Sequence, residues 1–177
     1  MNMRIKKIVL GGGCFWCTEA VFKMFDWTVS ITPGYAGGTT KNPTYGEVCS
    51  GKTGHAEVAM LEYDSEKAEL DAVLEVFFAM HDPTSIDKQG NDTGSQYRSV
   101  ILYLDEEDRK IVEEHIDRLQ KETPKKIATQ VRKLDVFYPA EDYHKDYYQN
   151  NKINPYCVFV IRPKLKKIMK EFGIKDN

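Results

Sequence analysis

The chain has 177 residues, of which 41% are hydrophobic, and its 25 basic and 27 acidic side chains leave a formal net charge of −2. This balance excludes a general attraction to nucleic acid or to an anionic membrane surface. Residues 1–10 lack the apolar core of a signal peptide, and no apolar run approaches membrane-spanning length. We therefore expect a single domain over residues 1–177, cytoplasmic and monomeric.

The amino-terminal residues predict a strand, a glycine loop and a helix. Residues 5–10 have a strand pattern, residues 11–13 are all glycine, and residues 19–25 have an apolar helical face. Cys14 would then lie in the first helical turn. Unpaired N–H groups and the helix dipole favour an anion there, so we predict a Cys14 thiolate with a lowered pKa.

Cys17 lies one helical turn after Cys14, close enough for a disulfide in a Cys-x-x-Cys unit. Phe15 and Trp16 place two aromatic rings beside the proposed nucleophile, where they can form an apolar pocket wall. The alternative is that both cysteines are small buried hydrophobic side chains. The glycine loop and the spacing favour reactive chemistry over that alternative.

The sequence of the next third of the chain predicts two strands separated by a long loop. Residues 27–32 alternate like a strand, residues 33–43 are dense in turn residues, and Tyr45 follows with a hydroxyl that could serve a site. Alternation is strong over residues 55–63, where Glu57 shares a face with apolar neighbours. Such surroundings raise a carboxyl pKa and make Glu57 a candidate general acid, the alternative being a glutamate that faces water.

Helices and strands continue to alternate in the second half. We predict helices over residues 65–80, 105–122, 140–150 and 163–172, strands over residues 99–104 and 128–137, and a polar loop over residues 81–98. His115 is predicted to lie on the surface and the basic face of the last helix to be solvated. His144 lies among tyrosines. It has either a functional role or the structural role of a partly buried imidazole whose hydrogen bonds are made within the protein.

Four separated motifs resemble those of the A-type peptide methionine sulfoxide reductases: Gly13-Cys14-Phe15-Trp16, Gly54-His55-Ala56-Glu57, Gly90-Asn91-Asp92-x-Gly94-x-Gln96-Tyr97-Arg98 and Tyr138-Pro139-Ala140-Glu141-Asp142-Tyr143-His144. The resemblance spans roughly residues 8–160 and is far more specific than one Cys-x-x-Cys. It implies an α+β fold, a two-layer sandwich with a mixed sheet, a ferredoxin-like βαβ core and a C-terminal segment that wraps the active site.

The resemblance also implies roles for individual residues. The nucleophile falls on Cys14 and the proton donor on Glu57. The aromatic pocket for the S-methyl group falls on Phe15 and Trp16, and the weaker match His144 is grouped with them. Supporting polar groups fall on Tyr45, Asp92 and Tyr97. An acid is needed because an unprotonated oxide is a very poor leaving group when a thiolate attacks the sulfoxide sulfur.

The implied reaction reduces the S epimer of free or protein-bound methionine sulfoxide and leaves a sulfenic acid on Cys14. A second cysteine condenses with the sulfenic acid, and thioredoxin reduces the resulting disulfide, without a cofactor or a metal. Cys157 roughly matches the family's C-terminal resolving cysteine, but the chain carries Cys17 where glycine is commoner. An apolar run and a helix follow Cys157 in place of a glycine-rich tail, so we rank Cys17 first, Cys157 second, and interpret Cys49 as structural.

Two other classes of protein compete with this interpretation. A thioredoxin-type thiol–disulfide oxidoreductase would explain Cys14-x-x-Cys17 after a strand but leaves the other three motifs without a role. A structural zinc module would need a second close pair of ligands, which the sequence lacks.

Overall fold

The fold is built on a six-stranded mixed sheet with helices packed against it. The computed structural model describes residues 4–175. Its strands are β1 (Ile5–Gly12), β2 (Thr28–Ala36), β3 (Ala56–Asp64), β4 (Lys88–Gln89), β5 (Asp92–Thr93), β6 (Ser99–Tyr103), β7 (Gln130–Lys133) and β8 (Phe137–Pro139). Its helices are α1 (Phe15–Phe22), α2 (Tyr45–Cys49), α3 (Leu70–Met80), α4 (Glu106–Glu122), α5 (Tyr147–Asn150) and α6 (Arg162–Phe172). Short 3₁₀ turns cover Ser95–Tyr97 and Asp142–His144, and a π-helical turn covers Cys157–Ile161.

The strand order is β7-β6-β1-β3-β2-β8, and β4 and β5 form a separate hairpin. The chain path β1-α1-β2-β3-α3-β6, with central strand order β6-β1-β3-β2, is the ferredoxin-like arrangement. β7 joins β6 in parallel, whereas the other described pairs are antiparallel. The predicted α+β class, mixed sheet and ferredoxin-like core are confirmed.

The largest apolar core lies between the sheet and the helices. Alternation along β1 sends Ile8 and Leu10 toward the helices and Val9 toward a smaller cluster on the opposite face. The apolar stripe predicted on α3 is buried in the larger core, with Val73, Leu74 and Phe77 fully covered. Of the helices within residues 4–175, none combines the length and the apolar character that crossing a membrane requires.

Two strands extend further than their composition suggests. Gly11 and Gly12 were predicted to be loop, but they lie in β1 and pair with Val100 and Ser99 of β6. Residues 33–36 were also predicted to be loop, but they extend β2 between β3 and β8. Hydrogen bonds from neighbouring strands on both sides therefore outweigh the low strand preference of glycine and proline.

The segment over residues 128–137 is two strands rather than the single strand predicted. β7 lies at one edge of the sheet beside β6, and β8 lies at the opposite edge beside β2. The residues between them cross the far face of the sheet, where Leu134 and Phe137 cover the smaller apolar cluster. Similarly, the predicted loop over residues 81–98 contains the β4–β5 hairpin.

The predicted helix over residues 140–150 is also wrong. Asp146 adopts a left-handed conformation with φ 54°, which separates a 3₁₀ turn from the four-residue helix α5. The backbone N–H of Asp146 donates to the buried Glu19 carboxylate at 3.1 Å, and this bond holds the break against α1. His115 is buried rather than exposed, because its ring stacks on Phe78 and is hydrogen-bonded to Asp71.

Candidate active site

Cys14 lies at the junction between β1 and α1. Gly13 turns the chain there with φ +99°, a conformation that side-chain-bearing residues rarely adopt. Cys14 is then the N-cap of α1, and its carbonyl accepts the backbone N–H of Cys17 at 3.1 Å. The predicted position of Cys14 at a helix start is therefore confirmed, with α1 beginning at Phe15.

Glu57 lies beside this helix start, on the helix-facing side of β3. Its carboxylate accepts the backbone N–H of Phe15 at 3.2 Å, and its side chain is almost completely buried. Burial raises the pKa of Glu57 to about 8, although the Phe15 N–H opposes the shift; the charges of Asp92 and Cys17 add to it. The predicted raised pKa is confirmed, so Glu57 carries a proton at neutral pH.

Cys14 and Cys17 form a buried, hydrogen-bonded pair. Burial, the Cys17 thiol and the Glu57 carboxylate raise the pKa of Cys14 well above that of a free thiol. The hydrogen bond from Cys14 lowers the pKa of Cys17 to about 7; burial opposes this shift and the charge of Lys164 adds to it. The predicted lowering of the Cys14 pKa is wrong for the resting protein, because desolvation outweighs the helix N-terminus. Of the two thiols, Cys17 is the more acidic.

Tyr156 connects this pair to the β4–β5 hairpin, and the sequence interpretation missed it. Its hydroxyl donates its one proton to the Asp92 carboxylate at 2.6 Å, and the residue lies beside Cys14. Asp92 is thereby placed at the site as predicted. Cys157 follows Tyr156 in the π-helical turn, is fully buried, and belongs to the same apolar core as Cys14 and Cys17. Burial, and secondarily the charge of Cys17, raise the pKa of Cys157.

Trp16 is half-buried and held on three sides by the C-terminal part of the chain. Tyr147 stacks on its indole with ring centroids 3.6 Å apart, and Tyr156 meets it edge-on at 5.8 Å. The indole N–H donates to Nδ1 of His144 at 3.0 Å. The predicted C-terminal segment around the site is therefore present, and Tyr147 is a second residue that sequence reasoning missed.

His144 and Phe15 are placed differently from the prediction. Both are almost fully buried, with ring centroids 4.9 Å apart, so neither presents a broad surface to a ligand in this structure. Because Nδ1 of His144 accepts from Trp16, the imidazole is a support for the indole rather than a direct substrate contact. Burial lowers the pKa of His144, which keeps this support neutral.

Tyr45 and Tyr97 are the hydroxyl groups predicted to support the acid. Burial raises the pKa of each, and the nearby Glu57 charge raises it further, so both hydroxyls remain protonated donors. Glu141 holds Tyr35 and Tyr45 together. Its carboxylate accepts a hydrogen bond from the Tyr35 hydroxyl at 2.9 Å and another from the Tyr45 backbone N–H at 3.2 Å. Glu141 lies inside a quoted motif, yet only the structure reveals this role.

Cys49 is exposed rather than part of the core, and its thiol is hydrogen-bonded to the hydroxyl of Tyr45. Its interpretation as a structural cysteine stays a prediction. Among residues 4–175, no group of three or more His, Cys, Asp or Glu side chains is arranged to hold a metal ion.

A cavity of about 480 Å³ opens beside Cys14. Its walls include the side chains of Cys14, Met80, His81, Asp92, Tyr156 and Lys164. The nucleophile candidate is thus within reach of a small molecule or an extended side chain. The arrangement combines a thiol, a neutral carboxylic acid, tyrosine hydroxyls and a half-buried indole, which are the groups needed to attack a polarised sulfur and protonate its oxygen.

Comparison with known proteins gives similarity over almost the whole chain. A family model described as peptide methionine sulfoxide reductase matches residues 6–176. The chain is 55% identical over 166 residues to the peptide methionine sulfoxide reductase MsrA of Saccharolobus solfataricus, with 94% of each chain covered. Mxr1 from Saccharomyces cerevisiae in reduced form gives a TM-score of 0.83 at 34% identity, covering 87% of this chain and 90% of that one. Mxr1 in complex with Trx2 gives a TM-score of 0.60 at 26% identity, covering 81% and 88%.

Proposed function

The chain belongs to the peptide methionine sulfoxide reductases, A type, and from that premise we propose that it reduces the S epimer of methionine sulfoxide through a sulfenic acid on Cys14. The enzyme class, a methionine sulfoxide reductase, follows from the family. The observation that carries the proposed chemistry is Glu57, a buried carboxyl with a raised pKa that is hydrogen-bonded to the first residue of the Cys14 helix.

Glu57 gives its proton to the sulfoxide oxygen while Cys14 attacks the sulfur. The proton of Cys14 passes to Cys17, its hydrogen-bond partner, which ionises near neutral pH. The attack forms an S–S bond between Cys14 and the substrate sulfur. The protonated oxygen then moves to Cys14 as this S–S bond and the original S–O bond break, and the products are methionine and the sulfenic acid. The proton on Cys17 returns to the ionised Glu57, which restores the Cys17 thiolate. Tyr45 and Tyr97 donate hydrogen bonds to the oxygen, because their hydroxyls remain protonated beside Glu57.

Trp16 contacts the S-methyl group of the substrate and thereby distinguishes the two epimers. Its ring cannot rotate freely, since Tyr147 covers one face and His144 holds its N–H. A fixed ring beside the nucleophile accepts the methyl group on one side only.

The test of the proposed function is single-turnover reduction of resolved methyl sulfoxide epimers, with dithiothreitol as the reductant. We expect a burst of one methionine per protein from the S epimer and background from the R epimer. Equal bursts from both epimers would contradict the proposed selectivity, and no burst from either would contradict the proposed reaction. Methionine is quantified by chromatography after acid quenching.

The sulfenic acid is resolved by Cys17, and thioredoxin reduces the resulting disulfide. The complex of Mxr1 with Trx2 supports a thioredoxin as the reductant. Cys17 is favoured because it is already hydrogen-bonded to Cys14, whereas Cys157 is fully buried in a helical turn. The proposed enzyme is a single-domain monomer. It acts in the cytoplasm, which supplies the reducing conditions that it needs.

Cys17→Ser is expected to keep one full turnover but to lose thioredoxin-supported cycling, whereas Cys157→Ser should cycle nearly normally. The reason is the high effective concentration of a thiol already paired with Cys14. Peptide mapping of wild-type protein after one equivalent of substrate should find a Cys14–Cys17 disulfide.

In a relay, Cys157 would attack the Cys14–Cys17 disulfide, and both substitutions would then impair cycling. Cys157 belongs to the same core cluster as Cys17 and lies near enough for the charge of that thiol to raise its pKa, which is compatible with such a relay. A Cys14–Cys157 link that forms equally fast in Cys17→Ser would contradict our ranking of Cys17 as the first resolving residue.

A further inference from the structure

Lys164 is a half-buried lysine on the wall of the cavity beside Cys14. In the part of the chain that the structure describes, Lys6 and Lys164 are the two half-buried lysines, and the others are exposed. The ammonium group of Lys6 pairs with the Asp108 carboxylate at 3.3 Å. No carboxylate of residues 4–175 lies within ion-pair distance of Lys164. Lys164 therefore carries a partly desolvated charge without a direct counter-ion.

The other lysines of α6 are placed differently. Lys166 and Lys170 are exposed, and Lys167 is exposed and donates to the Ala79 carbonyl at 2.8 Å. These three residues lie outside the wall of the cavity beside Cys14. The prediction of a solvated basic face holds for them but not for Lys164.

Lys164 supplies the positive charge of the cavity wall. Both ring nitrogens of His81, on the same wall, lie at hydrogen-bond distance from other groups, a backbone carbonyl at 2.7 Å and the Ser99 hydroxyl at 2.8 Å. Burial lowers the pKa of His81 to about 4, so its ring is neutral. The carboxylate of Asp92 already accepts from the Tyr156 hydroxyl at 2.6 Å. An anionic group that enters the cavity therefore finds its opposite charge at Lys164.

We propose that Lys164 binds a carboxylate of the substrate and so favours methionine sulfoxides that carry negative charge close to the sulfoxide group. The inference deepens the proposed function and rests on it. Two carboxylates can lie there. One is the α-carboxylate of free or C-terminal methionine sulfoxide, and the other is the side chain of an acidic residue next to an internal methionine sulfoxide. A half-buried ion pair is stronger than the same pair on an open surface, because less water screens it.

The sizes of the cavity and of the substrate fit this contact. In methionine sulfoxide, the bonds from the sulfur to the carboxyl carbon span at most about 5 Å. A compact cavity of about 480 Å³ is about 10 Å across. The flexible four-carbon stem of lysine lets its ammonium group cover the remaining distance. A sulfoxide whose sulfur meets Cys14 therefore brings its α-carboxylate within reach of Lys164.

The first test compares two substrates that differ chiefly in charge, with the full-length protein and dithiothreitol as the reductant. They are the S epimers of N-acetylmethionine sulfoxide and of its methylamide, which lacks the carboxylate. The acetyl group removes the ammonium group that Asp92 could attract. Lys164→Gln should lower kcat/KM for the charged substrate about fivefold, the effect of losing a partly exposed ion pair, and should change that for the methylamide less than about twofold.

Three controls accompany this comparison. Lys164→Arg should keep the preference for the charged substrate, because the positive charge is retained. The matched variant Lys166→Gln removes an exposed charge from the same helix and should leave both kcat/KM values unchanged. Added salt should weaken the preference of the wild type and have little effect on Lys164→Gln.

A second pair of substrates identifies the source of the carboxylate. N-acetylated dipeptide amides of methionine sulfoxide followed by glutamate or glutamine carry no α-carboxylate. If an acidic neighbour reaches Lys164, Lys164→Gln should lower kcat/KM for the glutamate peptide and not for the glutamine peptide. If N-acetylmethionine sulfoxide responds and the glutamate peptide does not, the bound group is the α-carboxylate.

An unchanged ratio of charged to neutral kcat/KM in Lys164→Gln, in both pairs of substrates, would overturn the inference. An equal change of that ratio in Lys166→Gln would overturn it as well. The ratio is measured within one protein, so a variant that folds only in part lowers both values alike and leaves the ratio as it was. Failure of the wild type to reduce any of these substrates would instead overturn the proposed function.

Discussion

Cys14→Ser is expected to abolish reduction of methionine S-sulfoxide, even with a large excess of dithiothreitol. In the proposed mechanism the sulfenic acid forms on the Cys14 sulfur beside Glu57, and a serine hydroxyl at the N-cap of α1 cannot accept the oxygen from the substrate. The measurement is single-turnover methionine release, with rates expected at the level of dithiothreitol alone.

The control for this experiment is Cys17→Ser, which removes the neighbouring thiol and should still release one methionine per protein. Serine is close to cysteine in size, so the buried site should retain its packing. Methionine release by a folded Cys14→Ser protein above a few per cent of the wild-type burst would exclude Cys14 as the nucleophile.

Glu57→Gln is expected to slow the sulfoxide step by roughly 10²–10⁴-fold, the range that a positioned general acid supplies. Glutamine has nearly the same shape but no proton to give, and donation from Tyr45 and Tyr97 limits the loss. The wild-type rate should fall as the pH rises through about 8, where Glu57 ionises, and this decline should be absent in the variant.

The stability of Glu57→Gln provides the control. The folded-state pKa is about 8 and the ordinary glutamate value is 4.5, so between these pH values the carboxyl ionises in the unfolded chain but stays protonated in the folded protein, and the folded state loses stability as the pH rises. The variant lacks this penalty and should unfold at a higher temperature than the wild type at pH 8. A folded variant with an unchanged single-turnover rate at neutral pH would exclude Glu57 as the acid.

The sequence predicts the groups that lie on regular, strongly patterned elements. Cys14 follows a strand and a turn-forming glycine, and Glu57 lies on an alternating strand, so their positions follow from local periodicity. The strand boundaries that were predicted wrongly lie where segments distant in the sequence add hydrogen bonds. β1 continues through Gly12 because β6 pairs with it, and β7 and β8 separate because each completes a different sheet edge.

The protonation of the cysteine pair could not be predicted in the same way. A helix N-terminus argues for a Cys14 thiolate, but the pKa of Cys14 depends more on how deeply the thiol is buried and on its hydrogen bond with Cys17. Tyr147 and Tyr156 were missed for a related reason. Each acts through a contact with Trp16 that no spacing in the sequence records.

The support of Trp16 by residues late in the chain sets when the enzyme can become active during its synthesis. Its hydrogen-bond partner His144 is added 128 residues later. At about 5–20 residues per second, the ribosome takes roughly 6–26 s to make that interval. Until then the indole has no partner, and Cys14 and Cys17 belong to a nascent chain whose reaction chamber is incomplete. Catalytic competence therefore cannot precede the synthesis of His144 and the residues around it.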